Sequence, residues 1–200
     1  MTIQQAPLLF ITGASSGIGQ ALALRYFQAG YQLALVARRT QAVQEWAEQN
    51  NIPSNMFAVY QADVAINARI ITAGKKCIEQ QGLPQVVIAN AGISIGIDSS
   101  IESDIDVMAQ VLQTNITGVA ATFSPFIQAM QTRKSGTLVG IASVAGIRGL
   151  PGHGAYCASK SGVISYLESL RGELRQDRVR VVTISPGYID TPLTQENKYR

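Results

Sequence analysis

The sequence has little of what metal, redox or disulfide proteins are built from: its 200 residues include two cysteines, Cys77 and Cys157, and one histidine, His153. The cysteine pair fits no metal-binding or redox spacing and one histidine makes no ligand cluster, so a metal centre and a disulfide framework are both excluded as organising features. A reduced, cytosolic (cytoplasmic) protein is the default expectation. Charge is sparse too. Only 14% of residues are charged, and the net charge of +3 is scattered along the chain rather than gathered in a run. That distribution gives no footing for nucleic acid or an anionic membrane, and suits a small anionic ligand better. No apolar run approaches the ~20 residues of a membrane span. The opening MTIQQAPLLFITG lacks a basic n-region and reads as the approach to a first strand rather than as a signal.

What the chain has is apolar length in short pieces. Hydrophobic residues make up 46% of it and recur in runs of strand length: LLFIT at 8–12, LALVA at 33–37, MFAVY at 56–60, VVIAN at 86–90, TLVGIAS at 137–143 and VRVVTIS at 179–185. Continuous rather than alternating apolar character suits strands buried on both faces. Segments of helical length lie between them at 17–29, 40–50, 65–81, 104–133 and 155–177. The alternation predicts one α/β domain over residues 1–200: a doubly wound parallel sheet of about six strands, with helices on both faces and ligands at the carboxyl ends of the strands. Pro125, inside the 104–133 segment, removes a helical donor and is expected to kink or split that helix.

Directly after the first run comes TGASSGIG, Thr12–Gly19, opening the segment at 17–29. Its glycines give GxxxGxG rather than the commoner GxGxxG, but meet the same needs. Gly13 permits a tight turn, and Gly17 and Gly19 leave room for backbone and helix to approach a pyrophosphate resting on the helix N-terminus. Strand, glycine turn and helix in that order predict a Rossmann-like dinucleotide site. The end of the second strand then selects the dinucleotide, because a carboxylate there bonds the ribose 2′-OH of NAD while an arginine accommodates the 2′-phosphate of NADP. Here Ala37 stands where an acid would, Arg38 and Arg39 follow, and no carboxylate comes before Glu45. NADP(H) is favoured over NAD(H).

The stretch YCASK places a phenol, Tyr156, and an amine, Lys160, four residues apart, on one face of a helix. A phenol of ordinary pKa ~10 is a poor base at neutral pH. A cation about 4 Å away, at an effective dielectric of about 20, interacts with it by roughly 4 kcal/mol, or about 3 pK units before desolvation opposes the effect. Lys160 is therefore expected to hold Tyr156 below its usual value.

With these residues in view, the chain resembles the short-chain dehydrogenase/reductase family over essentially its whole length. TGASSGIG looks like the family's cofactor loop, and Asn115, Ser143, Tyr156 and Lys160 fall in the order and approximate spacing of its catalytic tetrad. The resemblance implies that Gly13, Ser15, Ser16, Gly17, Ile18 and Gly19 hold the pyrophosphate side of the cofactor. It places Asp63 and Val64, after the third strand, near the adenine, and Asn90, Ala91 and Gly92 at the end of the fourth. Pro186, Gly187, Ile189 and Thr191 lie on the nicotinamide side, with Tyr156 and Lys160. The implied roles are Tyr156 as general acid and base, Lys160 on the nicotinamide ribose, Ser143 on the substrate oxygen, and Asn115 anchoring a water that joins Lys160 to solvent.

The substrate space is expected to be bordered by Ser94, Ile95, Val144, Ala145, Ile147, Leu150, His153 and Tyr188, a mostly apolar set that suits a hydrophobic or modest-sized carbonyl or alcohol, with steroid, sugar, fatty-acyl and xenobiotic carbonyls all open. The implied activity is an NADP(H)-dependent carbonyl reductase or alcohol dehydrogenase. A non-catalytic NADP(H) sensor or scaffold, or a dehydratase or epimerase on the same fold, are the alternative readings. Family resemblance also implies a homodimer or homotetramer through the helices at 104–133 and 155–177, whose stretches VAATFSPFIQAM and GVISYLESL carry more apolar residues than one sheet face requires. Members usually continue past Pro186–Gly187 with a lid, a helix and a seventh strand, which this chain is expected to lack. The segment after Pro186–Gly187 is expected to be its least ordered part, because TPLTQENKYR has few apolar anchors.

Overall fold

Alternate residues of each inner strand face opposite ways, and here both ways are covered. In the computed structural model, which describes residues 6–192, Leu8 and Phe10 of β1 (Leu8–Thr12) enter one core while Leu9 and Ile11 enter another. The same division runs through β2 (Gln32–Ala37) and β4 (Val86–Ala89). With β3 (Phe57–Gln61), β5 (Gly136–Ile141) and β6 (Val179–Ile184), these strands form one six-stranded sheet, parallel throughout, in the order β3-β2-β1-β4-β5-β6. This is the Rossmann-like arrangement.

Helices α1 (Gly17–Gln28) and α2 (Thr40–Gln49) cover one face, where Ala23, Val43 and Ala47 meet Leu9, Leu33 and Leu35. On the other lie α3 (Asn67–Gln81), α5 (Gly118–Arg133) and α6 (Gly154–Leu174), with Ile70, Phe126 and Leu167 against Phe10, Ala34 and Leu138. A shorter helix, α4 (Asp104–Leu112), packs against α6 through Val111 and Ala155. The chain winds outward from β1 to β3, then crosses back to β4 and winds out to β6. The carboxyl ends of β1 and β4 therefore flank the point where the direction reverses, where such sheets open a crevice.

The segment expected to form one helix at 104–133 is broken, but not at Pro125. The break is a π-helical turn, Gln113–Thr117, and α5 runs on through Pro125. The proline ring is seated against α3, where a Cβ on Gly74 would come within 2.4 Å of its Cγ. A wide turn is instead spent at Asn115, consistent with the tendency of π-bulges to mark functional positions. The apolar excess on α5 and α6 is taken up inside the chain, Ile127, Ile164 and Tyr166 packing against the core with Phe123 and Val163. The expectation for the segment after Pro186–Gly187 falls largely on 193–200, which lie outside the described residues. Among the described residues no helix is long and apolar enough to cross a membrane.

Candidate functional site

The turn after β1 is held by its neighbour strand. The Thr12 hydroxyl accepts from the main-chain N–H of Asn90 and of Ala91, both at 3.1 Å, while the Asn90 side-chain amide donates to Thr12 O at 3.0 Å. Gly13 takes a positive φ of 70°, and a Cβ on Gly19 would come 2.1 Å from Gly13 O, so helix α1 can start this close to the turn only with glycine there. Asn90 thus works as a latch between β1 and β4. Thr12, not singled out in the sequence, is the other half of it.

Above these strand ends lies a groove of about 290 Å³. Gly13, Ser15, Ser16, Gly17 and Ile18 form its floor at the start of α1, with Arg38, Arg39, Asp63 and Val64 at one end. At the other stand Asn90, Ala91, Gly92, Ser143, Tyr156 and Lys160, with Pro186, Gly187, Ile189 and Thr191 along the edge. Of the residues expected around a dinucleotide, Gly19 alone stays out of the lining, because it faces the turn. The donor set fits the ligand class. A helix N-terminus and serines suit a pyrophosphate, and two arginines at the end of β2 suit a further phosphate. Arg38 lies 3.9 Å from Asp63 with its side chain 71% exposed, a loose pair that leaves the guanidinium available.

Tyr156 sits in the first turn of α6, and Ser143 follows β5, where its Oγ accepts from Ala145 N–H at 3.1 Å and caps a short 3₁₀ turn, Val144–Gly146. Burial raises the Tyr156 pKa, outweighing the Ser143 hydroxyl, which favours the phenolate. Lys160 is only 5% exposed, and burial lowers its pKa to about 8. Its Nζ donates to Ile141 O at 2.8 Å and stands 5.6 Å from the centroid of the Tyr156 ring. The expectation that Lys160 holds the phenol below its ordinary value is thus corrected. The ammonium is engaged by the strand carbonyl, both groups are desolvated, and burial wins for each.

Asn115, on the π turn, is fully buried. Its Oδ1 accepts from Ile93 N–H, and its amide donates to Ile93 O and to Ser159 Oγ, each at 2.9 Å; Ser159 donates in turn to Tyr156 O at 2.7 Å. Both amide donors are used. Asn115 does not line the groove but ties the loop after β4 to the helix that bears Tyr156, with Gly92 leaving room beside it.

A second cavity, of about 200 Å³, adjoins the first. Ser94, Val144, Ala145, Leu150, His153 and Tyr188 line it as expected, together with Ser143, Tyr156 and Gly187. Ile95 and Ile147 are not in its lining, and Ile147 is 67% exposed. Arg148 is there instead, unforeseen from the sequence. Ser143, Tyr156 and Gly187 belong to both cavities, so the phenol and the hydroxyl stand at the seam.

Comparison with known proteins gives the family and the fold. The sequence model described as short chain dehydrogenase matches residues 8–199. An uncharacterized oxidoreductase of Myxococcus xanthus is 35% identical over 189 residues, which are 94% of this chain and 74% of that relative. Among solved structures, levodione reductase superposes with a TM-score of 0.87 at 27% identity, over 94% of this chain and 74% of its own. A short chain dehydrogenase/reductase from Burkholderia phymatum in complex with NAD gives 0.88 at 27% identity, over 98% and 70%.

Proposed function

We infer the function from a family and a seam: the chain belongs to the short-chain dehydrogenase family, and we propose that it is an NADP(H)-dependent oxidoreductase acting on a small carbonyl or alcohol, with Tyr156 as general acid and base. The observation that carries the proposal is that Ser143 and Tyr156 line both cavities at once, so one pair of hydroxyls faces a ligand in each. A bound nicotinamide dinucleotide supplies hydride to the substrate carbon, or takes it up in the reverse direction. The glycine loop, Arg38, Arg39, Asp63, Val64, Asn90–Gly92, Lys160 and the 186–191 edge are the residues that would hold it.

The chain's own part is proton management. With its pKa raised by burial, Tyr156 keeps its proton at neutral pH and can give it to a carbonyl oxygen that Ser143 orients. In alcohol oxidation the phenol must first ionise, so that direction gains with rising pH. Lys160, charged below about pH 8, stands 5.6 Å from the Tyr156 ring centroid and is held by the Ile141 carbonyl. Asn115 steadies this helix through its bonds to Ile93 and Ser159, and the water link to Lys160 is proposed on the family resemblance.

Support for NADP(H) over NAD(H) comes from Arg38 and Arg39 in the groove lining; the Burkholderia neighbour binds NAD, so the preference rests on those arginines. A homodimer or homotetramer is proposed on the family resemblance, because the apolar residues of α5 and α6 are already packed within the chain. A panel of apolar aldehydes and ketones, followed by NADPH absorbance, tests the activity. Consumption with at least some members is expected, and no consumption of either NADPH or NADH across the panel would overturn the proposal.

A further inference from the structure

The second cavity contains one charge that the proposed reaction does not use. Arg148 stands in its lining, with the imidazole of His153 as the other basic group there, on the loop between the 3₁₀ turn Val144–Gly146 and α6. No aspartate or glutamate lines the cavity with it. Among the described residues Arg148 makes no ion pair, and no hydrogen bond of its side chain is present. Ser94, Ser143, Tyr156 and His153 add polar groups, and the remaining walls are largely apolar. Val144, Leu150 and Tyr188 are all exposed large side chains, Tyr188 at 89%, with Ala145 and Gly187 between them. Apolar groups left open to water beside an unmatched guanidinium form a surface with a definite complement: an apolar body that ends in an anion.

We propose that Arg148 determines substrate specificity, and that the substrate is an oxo-carboxylate or the matching hydroxy-carboxylate. Its carbonyl or hydroxyl carbon lies at the Ser143–Tyr156 seam, its apolar middle lies against Val144, Leu150 and Tyr188, and its carboxylate meets Arg148. The inference rests on the oxidoreductase reading of the same site. A guanidinium presents a planar fork of donors that matches a carboxylate with two parallel hydrogen bonds, a match that a neutral ester or amide does not provide. Binding of the apolar body removes water from around the pair, which strengthens a contact that would be weak at an open surface. Arg148 acts here on binding and orientation; the proton transfer stays with Tyr156.

The test compares each acid with its own methyl ester. Benzoylformate, benzoylpropanoate and benzoylbutanoate, each beside its ester, are offered with NADPH and with NADH to the full chain, so that charge is compared at three lengths. The expected result is a kcat/KM preference for one or more acids over the ester of roughly tenfold, carried mainly by KM and shrinking as salt is raised. Arg148→Gln should remove most of that preference, ester turnover falling far less than acid turnover, and Arg148→Lys should keep part of it. NADPH binding, which reads the other cavity, checks that the variants are folded. Ester reduction with no acid preference in the wild type, or a preference that survives Arg148→Gln, would overturn the inference and leave the oxidoreductase reading standing. No reduction of any acid or ester, together with an inactive carbonyl panel, would overturn both.

Discussion

The two cavities that meet at Tyr156 are built by different means. The groove is made of strand ends and a helix start, and its shape is set by backbone: Gly13 at positive φ, Gly19 against the turn, and Asn90 latched to Thr12. The smaller cavity is made of side chains on loops, with Val144, Arg148, Leu150 and Tyr188 none of them on a strand. A backbone-built site presents the same donors whichever side chains surround it, so it suits a ligand common to many proteins. A loop-built site is remade by single substitutions, so it suits a ligand particular to one. Substitutions on the two sides should therefore separate cleanly, one set reading cofactor and the other substrate, with Tyr156 at the seam reading chemistry.

The largest effect is expected at the seam. Tyr156→Phe removes the proton donor and little else, so carbonyl reduction should fall by roughly 10²- to 10⁴-fold while NADPH affinity stays within a factor of about two. Stopped-flow turnover beside fluorescence titration of NADPH checks it. A variant that keeps a tenth of wild-type turnover would move the proton donor elsewhere and dissolve the seam.

Next comes the ammonium beneath the seam. Below about pH 8 folded and unfolded chains both hold the Lys160 proton, and the folded chain carries the full desolvation penalty. Between about 8 and the ordinary lysine value of ~10.4, the unfolded chain keeps a proton that the folded chain has released, so this group's contribution to stability rises with pH across that window. Lys160→Met should therefore melt a few degrees above wild type at neutral pH, with the gap closing towards pH 10. Thermal melts of the cofactor-free protein across that range measure it. A gap that does not narrow would show that burial is not what sets the Lys160 pKa.

Most of the fold was legible, and so was the groove. Six apolar runs became six strands with ends shifted by a residue or two, because strands buried on both faces leave little choice of residue. The glycine loop was legible because Gly13 combines a positive φ with no room for a Cβ beside Asn90, and Gly19 lies too close to the Gly13 carbonyl for one. The break at Gln113–Thr117 was not, since no proline or glycine marks a π turn and the visible breaker, Pro125, is absorbed by Gly74. Tyr156 and Lys160 were placed correctly on one helix face, but the direction of the Tyr156 shift was misjudged, as burial and the Ile141 carbonyl are tertiary facts. In the 144–153 loop no period says which side chains turn inward, which is why Ile147 was expected in the cavity and Arg148 was not.

On the groove side, Arg38→Ala should weaken NADPH by roughly tenfold and spare NADH, the lower end of what a charge-assisted contact contributes, because Arg38 is largely solvated and already shares Asp63. Paired titrations with the two cofactors read the difference. Equal weakening of both would mean that Arg38 supports the groove without reading the 2′-phosphate, and Arg39, which also lines it, would take its place.

The smallest effects sharpen the comparison most, because they lie wholly on the loop side. Leu150 lines the second cavity and Ile147, three residues earlier, does not, though both are large, aliphatic and exposed. Truncating Leu150 to alanine removes apolar surface that a bound substrate would cover, a loss of about 1 kcal/mol that appears as a rise in KM of roughly fivefold for an apolar carbonyl. Ile147→Ala removes surface that faces water with or without substrate, so KM should stay within about twofold. Neither change should alter NADPH affinity, since neither residue reaches the groove. The measurement is a set of Michaelis curves for one apolar ketone with wild type and the two variants, beside NADPH titrations. Equal KM changes would show that the substrate spreads over the loop's outer surface rather than entering the cavity, and a change in NADPH affinity at either position would show that the two sides are not built independently.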